Sequence, residues 1–202
     1  MDNDAHAAAM KTSSDLAATV IAGTRPDQHD KPTPCTEYSV ADVINHLAFG
    51  FEMARRSGER EDWDPDWTPE STTPALDGVP AADWAAVCGR EAPRTAQAWS
   101  DPETWEGESK MGSSAMPAAM VGSMMIAEFL VHGWDLAYAT GQAYDPPAEA
   151  VQAAIAGVEP MLDMGRDGGW YGAEVKVEES APPLHRLLAM TGRDPSWTPA
   201  RS

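Results

Sequence analysis

The sequence predicts an all-α protein in which antiparallel helices pack as a bundle around one core. Three observations point to this fold. Apolar residues recur at helical spacing in several long segments. Helix start and stop signals, such as Ser39 and Gly141, flank those segments. The chain has 202 residues, 43% of them hydrophobic, which is enough to build a core without disulfides or metal ions.

The first two principal helices lie in the N-terminal quarter of the chain. The first covers 4–23, an alanine-rich segment that ends at a glycine. The second begins after Ser39, which forms an approximate capping box with Asp42. Its apolar stripe recurs with a period of about 3.6 residues and consists of Val40, Val43, Ile44, Leu47 and Phe51.

The third and fourth principal helices follow a long irregular segment. That segment, 55–79, is acidic and contains two tryptophans, Trp63 and Trp67, which either cover the core or act as a lid. The third helix is expected over 80–100, and an extended or loop segment over 104–115 separates it from the fourth. The fourth covers 117–140, beginning at a proline and ending at a glycine.

Shorter elements complete the chain. A fifth helix is predicted over 147–165, weakened by Pro160, and a last short helix over 183–190. A short strand pair is expected within 168–179. We therefore divide the chain into a bundle domain, 1–146, and a short helical C-terminal extension, 147–202, packed on it.

Charge restricts the classes of partner. Lys and Arg number 14 and Asp and Glu 32, so the net charge is −18. This surface repels phosphate backbones and anionic lipids, which argues against nucleic acid and membrane partners. The polar, acidic N-terminus does not resemble a signal peptide, and there are only two cysteines, so we expect a cytoplasmic protein with free thiols.

Ionisable residues interrupt the apolar face of the fourth helix. Glu128, His132 and Asp135 stand at positions i, i+4 and i+7, within roughly 60° of one another around the helix axis. Burying an unpaired carboxylate is costly, so this face requires compensation. A divalent cation held by Glu128 and His132 would provide it, and a buried Glu–His hydrogen bond without metal is the alternative.

A metal site needs a ligand from another helix as well. His46 is the best candidate, because it lies at the edge of the apolar stripe of the second helix and Gly50 leaves room beside it. Asp135 either accepts a hydrogen bond from a ligand histidine or pairs with an arginine. We find no nucleophile elbow, Walker loop or dinucleotide-binding glycine motif, so phosphate and dinucleotide chemistry has no support.

Three segments carry a family resemblance. They are TPCTEYSVADVINHL, EFLVHGWDLAYATGQ and PPLHRLLAMTGRDPSW, and the similarity as a whole runs over roughly 4–197. Together they resemble the actinobacterial metal-binding branch of the DinB-like superfamily, which includes mycothiol-dependent maleylpyruvate isomerase and related thiol transferases. The resemblance implies a DinB-like four-helix bundle.

The same resemblance implies a site and a chemistry. A divalent metal ion, with zinc expected, would be held by His46 of INHL and by Glu128 and His132 of EFLVH. Mycothiol would be the thiol co-substrate, and its thiolate, favoured by the metal, would attack an electrophilic small molecule. A homodimer formed through a helix face is an expected assembly.

The chain departs from the isomerase pattern in two ways. The isomerase has a further C-terminal domain, for which the segment after Gly141 is short, and His185 stands where an acidic residue is more usual in this branch. A general thiol transferase or isomerase-like activity is therefore expected rather than the isomerase reaction itself. The alternatives are a non-catalytic metal- or small-ligand-binding protein and a purely structural bundle.

Overall fold

A computed structural model describes residues 2–64, 66, 74–112 and 114–198. The helices are α1 (Asn3–Gly23), α2 (Val40–Gly58), α3 (Trp84–Ala98), α4 (Ala118–Thr140), α5 (Ala148–Val158), α6 (Leu162–Asp167) and α7 (Pro183–Met190). Strands β1 (Glu108–Met111) and β2 (Ser114–Pro117) form an antiparallel hairpin in which Ser109 is paired with Met116. The prediction of an all-α bundle is confirmed.

The first four helices build the bundle. Helices α1 and α2 each pack against both α3 and α4. Helix α5 packs against α1 and α4, and α7 packs against α5. Buried residues of α5, such as Val151, therefore belong to the same hydrophobic cluster as residues of the bundle. The division at 146/147 remains a prediction.

Local signals fix the two helices that carry the predicted ligands. At the start of α2, the backbone N–H of Ser39 donates to Asp42 Oδ2 (2.9 Å) and that of Asp42 donates to Ser39 Oγ (3.2 Å), which is the predicted capping box. Helix α4 ends at Gly141, whose φ of 75° is the left-handed conformation that glycine adopts most readily. Among the described helices, none combines the length and hydrophobicity needed to cross a membrane.

The hairpin occupies part of the segment expected to be extended or loop, and it is fastened to the end of α2. Ser57 Oγ donates to the carbonyl of Lys110 (2.8 Å), and Ser109 Oγ donates to the carbonyl of Ser57 (2.6 Å). These bonds hold β1 and β2 beside α2. Side chains of the hairpin can therefore reach the space between α2 and α4.

The strand pair expected within 168–179 is wrong. The described backbone there bonds to the end of α7 instead, with the N–H of Gly172 donating to Thr191 O (3.3 Å) and that of Val175 to Ala189 O (3.0 Å). The segment is therefore extended but is not paired with another strand in the described part of the chain. Glycines allow its close approach to α7, since a Cβ on Gly192 would lie 2.5 Å from the Cα of Gly172.

Two further expectations need adjustment. The helix predicted over 147–165 is divided into α5 and α6 by a 3₁₀ turn at Glu159–Met161, because Pro160 has no N–H to continue the α-helical bonding. Helix α2 extends to Gly58, past the predicted start of the loop. In that loop Trp63 lies beneath the guanidinium of Arg56, 4.1 Å from the ring centre, whereas Trp67 is outside the described residues.

Candidate functional site

The three predicted ligand residues come together between α2 and α4. Nε2 of His46 contacts Oε1 of Glu128, and Nε2 of His132 lies 3.3 Å from the same oxygen. The two imidazole rings are 4.6 Å apart and nearly perpendicular. One ligand atom from each residue lies within 4.8 Å of the others. Two ring nitrogens thus converge on one carboxylate oxygen.

Close packing of α2 on α4 produces this convergence. Phe51 of α2 stacks on Phe129 of α4, with ring centres 4.8 Å apart. Gly50 faces the same helix one turn after His46, and a Cβ there would lie in ordinary van der Waals contact, 3.4 Å from the Phe129 ring. The two helices are therefore close enough for side chains to touch at this turn, but not so close that only glycine fits. Ligands from distant parts of the chain therefore face each other.

Electrostatic interactions within the cluster favour charged side chains. Withdrawal from water opposes ionisation of Glu128, but His132 and His46 together lower the pKa of its carboxyl to about 2. Burial also opposes protonation of His46, yet the adjacent Glu128 carboxylate raises the pKa of that imidazole above its usual value. The cluster therefore provides a carboxylate and a pair of imidazoles, a donor set suited to a divalent cation.

Asp135 lies close to both His132 and Arg193, but only the arginine is hydrogen-bonded to it. Its Oδ2 lies 3.0 Å from Nδ1 of His132, although this contact lacks the alignment of a hydrogen bond. The same oxygen is 3.2 Å from Nη2 of Arg193. Asp135 is fully buried, so both neighbours compensate its charge. The carboxylate stands behind His132, on the side away from Glu128.

Three residues at the site were not among those predicted from the sequence. Cys35 forms a second group with His132 and Asp135, again with one donor atom from each within 4.8 Å. Tyr38 stands over both imidazoles, with ring centres 5.5 Å from His46 and 6.4 Å from His132. The third residue is Arg193, the partner of Asp135. The quoted segments TPCTEY and TGRD contain all three, but their spacing along the chain gives no sign of contact.

Burial keeps the Cys35 thiol protonated. It raises the pKa of that thiol to about 11, with Arg193 opposing the effect and Asp135 adding to it. Both Cys35 and Cys88 are free. A protonated thiol is a poor nucleophile. Of the two groups, the one with His46 and Glu128 opens more to the surroundings, because those side chains are 28% and 30% exposed whereas Asp135 is fully buried.

The cluster opens into a cavity of about 740 Å³. This volume lies in the range of small-molecule sites. Polar residues of the cluster line one part, and methionines of α2, α4 and the hairpin line another. Trp170 and Tyr171, from the extended segment packed on α7, complete the wall. His185 is not among the described residues that line it.

Comparisons with known proteins identify the family of this chain. The model of the mycothiol maleylpyruvate isomerase N-terminal domain family matches residues 10–137. Two uncharacterized proteins from two strains of Mycobacterium tuberculosis are each 27% identical over 183 residues, which is 89% of this chain and 92% of the relative.

Solved structures show the same fold. Crystal structures of the mycothiol-dependent maleylpyruvate isomerase and of one of its mutants superpose with TM-scores of 0.63 and 0.62. They are 14% and 13% identical in sequence, and each match covers 96% of this chain and 82% of the other. Because the family model covers more than half of the sequence, the chain belongs to the mycothiol maleylpyruvate isomerase N-terminal domain family.

Proposed function

We propose that the protein is a metal-dependent enzyme that transfers or uses a low-molecular-weight thiol, mycothiol, in a reaction with an electrophilic small molecule. The observation that carries the proposal is the convergence of His46, Glu128 and His132 at the wall of a ligand-sized cavity. Membership of a mycothiol isomerase domain family supports the choice of thiol.

The three residues fit a divalent cation. Two imidazole nitrogens and one carboxylate oxygen form a common donor set of catalytic zinc sites, in which the protein leaves a position open. Side chains of His46 and Glu128 are 28% and 30% exposed, so this side of the cluster faces the cavity. A bound cation, with zinc expected, would supply a Lewis acid that stabilises the thiolate form of a thiol near neutral pH.

Asp135 prepares His132 for this role. Its carboxylate lies beside Nδ1, so the tautomer with a proton on Nδ1 is favoured. The lone pair of Nε2 then points towards Glu128 and the cavity. Carboxylates behind ligand histidines hold the ring in place and increase its basicity. Arg193 in turn fixes Asp135.

The remaining cavity residues position and shield the reactants. The Tyr38 hydroxyl, whose pKa is raised by burial, stays protonated and can donate a hydrogen bond. The apolar wall excludes water from the thiol and its partner, which strengthens electrostatic interactions there. The chain thus offers polar groups at one end of the cavity and apolar surface at the other.

Metal analysis tests the proposal directly. Protein purified without chelators should contain close to one equivalent of zinc or another first-row divalent ion. His46→Ala and His132→Ala should each lose it, whereas His185→Ala, which changes a histidine away from the cavity, should retain it. A protein that contains no metal and cannot be loaded with any would contradict the proposal.

A second assay separates catalysis from binding. Mycothiol consumption with a panel of electrophiles should exceed the uncatalysed rate and fall to that rate in His132→Ala. Full metal content without thiol consumption would favour a non-catalytic metal- or ligand-binding protein. Absence of both metal and consumption would favour a structural bundle in which Glu128 bonds to the two histidines.

A further inference from the structure

Methionines form one wall of the cavity. Among the described residues, five methionines line it, contributed by four different elements: Met53, Met111, Met116, Met124 and Met125. Thioether side chains are apolar, polarizable and free of branching, so such a surface adapts to ligands of different shape. This concentration of methionine marks a surface for an apolar ligand rather than only the bundle core.

The charged residues of the cavity disfavour an anionic ligand in addition to the thiolate. Among the described lining residues, Arg193 is the only lysine or arginine, and Glu37 and Glu128 also line the cavity. The guanidinium of Arg193 is already paired with the buried carboxylate of Asp135. A cation held by the ligand cluster would be the partner of the thiolate, so a carboxylate seated beside the methionines would meet no cationic group of its own there. Burying it without a partner is strongly unfavourable.

We propose that the electrophile is an uncharged, largely apolar small molecule, seated on the methionine wall, and not a carboxylate. The inference rests on the proposed function only in calling that ligand an electrophile. The wall reaches the ligand cluster through α4, where Met124 lies one turn before Glu128. A molecule on the wall is thus placed next to the residues proposed to act on the thiol.

Calorimetric titration with a matched pair of unreactive probes tests this inference. Dimethyl phthalate and phthalate share one ring and differ by two charges. The purified protein should bind the neutral ester at least about tenfold more tightly than the dianion. Met124→Lys, which places a cation on the wall, should remove or reverse this preference.

Met120→Lys is the control for net charge. Met120 lies one turn earlier on α4, is half-buried like Met124 and is not among the residues lining the cavity. Met120→Lys adds the same charge as Met124→Lys but away from the cavity, so the preference for the ester should persist. Thermal unfolding of both variants verifies that they are folded.

Three outcomes would overturn the inference: the wild type binds phthalate as tightly as the ester, binds neither probe, or keeps its preference in a folded Met124→Lys variant. The proposed function fails on different measurements, metal content and mycothiol consumption. If the protein contains no metal but still prefers the ester, the inference about the apolar site stands and the proposed thiol chemistry fails.

Discussion

Arg193 is paired with Asp135 beside the cavity, with Nη2 of the guanidinium 3.2 Å from Oδ2 of the carboxylate. The two residues are separated by 58 positions in the chain and are both largely withdrawn from water. Their contact joins the segment after α7 to the helix that carries Glu128 and His132. The segment after α7 therefore takes part in building the candidate site.

Asp135→Ala should lower the free energy of unfolding by about 3 kcal/mol, because it leaves a buried guanidinium without its partner. Arg193→Ala should have a similar effect, since the buried carboxylate is then uncompensated. Urea unfolding measures both. The double variant should lose less than the sum of the single losses, and purely additive losses would show that the pair is not coupled.

Gly192→Ala should be more destabilising than Gly78→Ala. Both glycines have positive φ, 87° and 73°, which costs an alanine about 1 kcal/mol. A Cβ at Gly78 has nothing within 4 Å, whereas at Gly192 it would lie 2.5 Å from the Cα of Gly172. The crowded position should lose at least about 1 kcal/mol more in urea unfolding. Equal losses would mean that the Gly172 segment moves aside at no cost.

The two thiols should be nearly silent towards a disulfide reagent at pH 7. Burial raises the pKa of Cys35 to about 11 and that of Cys88 to about 12, so little thiolate exists in the native protein. Cys35 lines the cavity and should react slowly, whereas Cys88 should react only on unfolding. Both should titrate in guanidinium chloride, and Cys35→Ser should abolish the slow native phase.

The raised pKa values of the two thiols also predict how the free energy of unfolding changes with pH. A thiol whose pKa is higher in the folded state stays protonated after the unfolded chain ionises near pH 8.5. Stability should therefore be unaffected below that pH and fall as pH rises towards 11. Cys88→Ala should show a smaller alkaline decline than the wild type in urea unfolding at pH 8 and pH 10. An identical decline would exclude a contribution from this thiol.

Ser39→Ala should destabilise the protein by about 1 kcal/mol, because the hydroxyl caps the first turn of the helix that carries His46. Ser180→Ala, at an exposed position, is the matched control and should change stability by less than about 0.5 kcal/mol. Thermal or urea unfolding measures both. Similar values for the two variants would show that the cap contributes nothing.

Local chemistry determined most of the helices. The capping box at Ser39, the glycine at 141 and the apolar stripe of α2 act within a few residues, so the sequence alone predicted them. The same local rules placed Glu128 and His132 on one helix face. The expected strand pair within 168–179 was wrong because the local sequence does not specify the bonding partner of an extended backbone, which here is the end of α7.

Tertiary packing decided the rest of the site. Helical spacing and the family resemblance selected His46, but the packing of α2 on α4 brings it to Glu128. Arg193, Cys35 and the methionine wall depend on contacts between elements far apart in the chain. Such contacts follow from how whole helices pack, and the spacing of residues along the chain does not predict them. The sequence determined the helices and three candidate ligands, and the packing determined the cavity, its charge and its apolar wall.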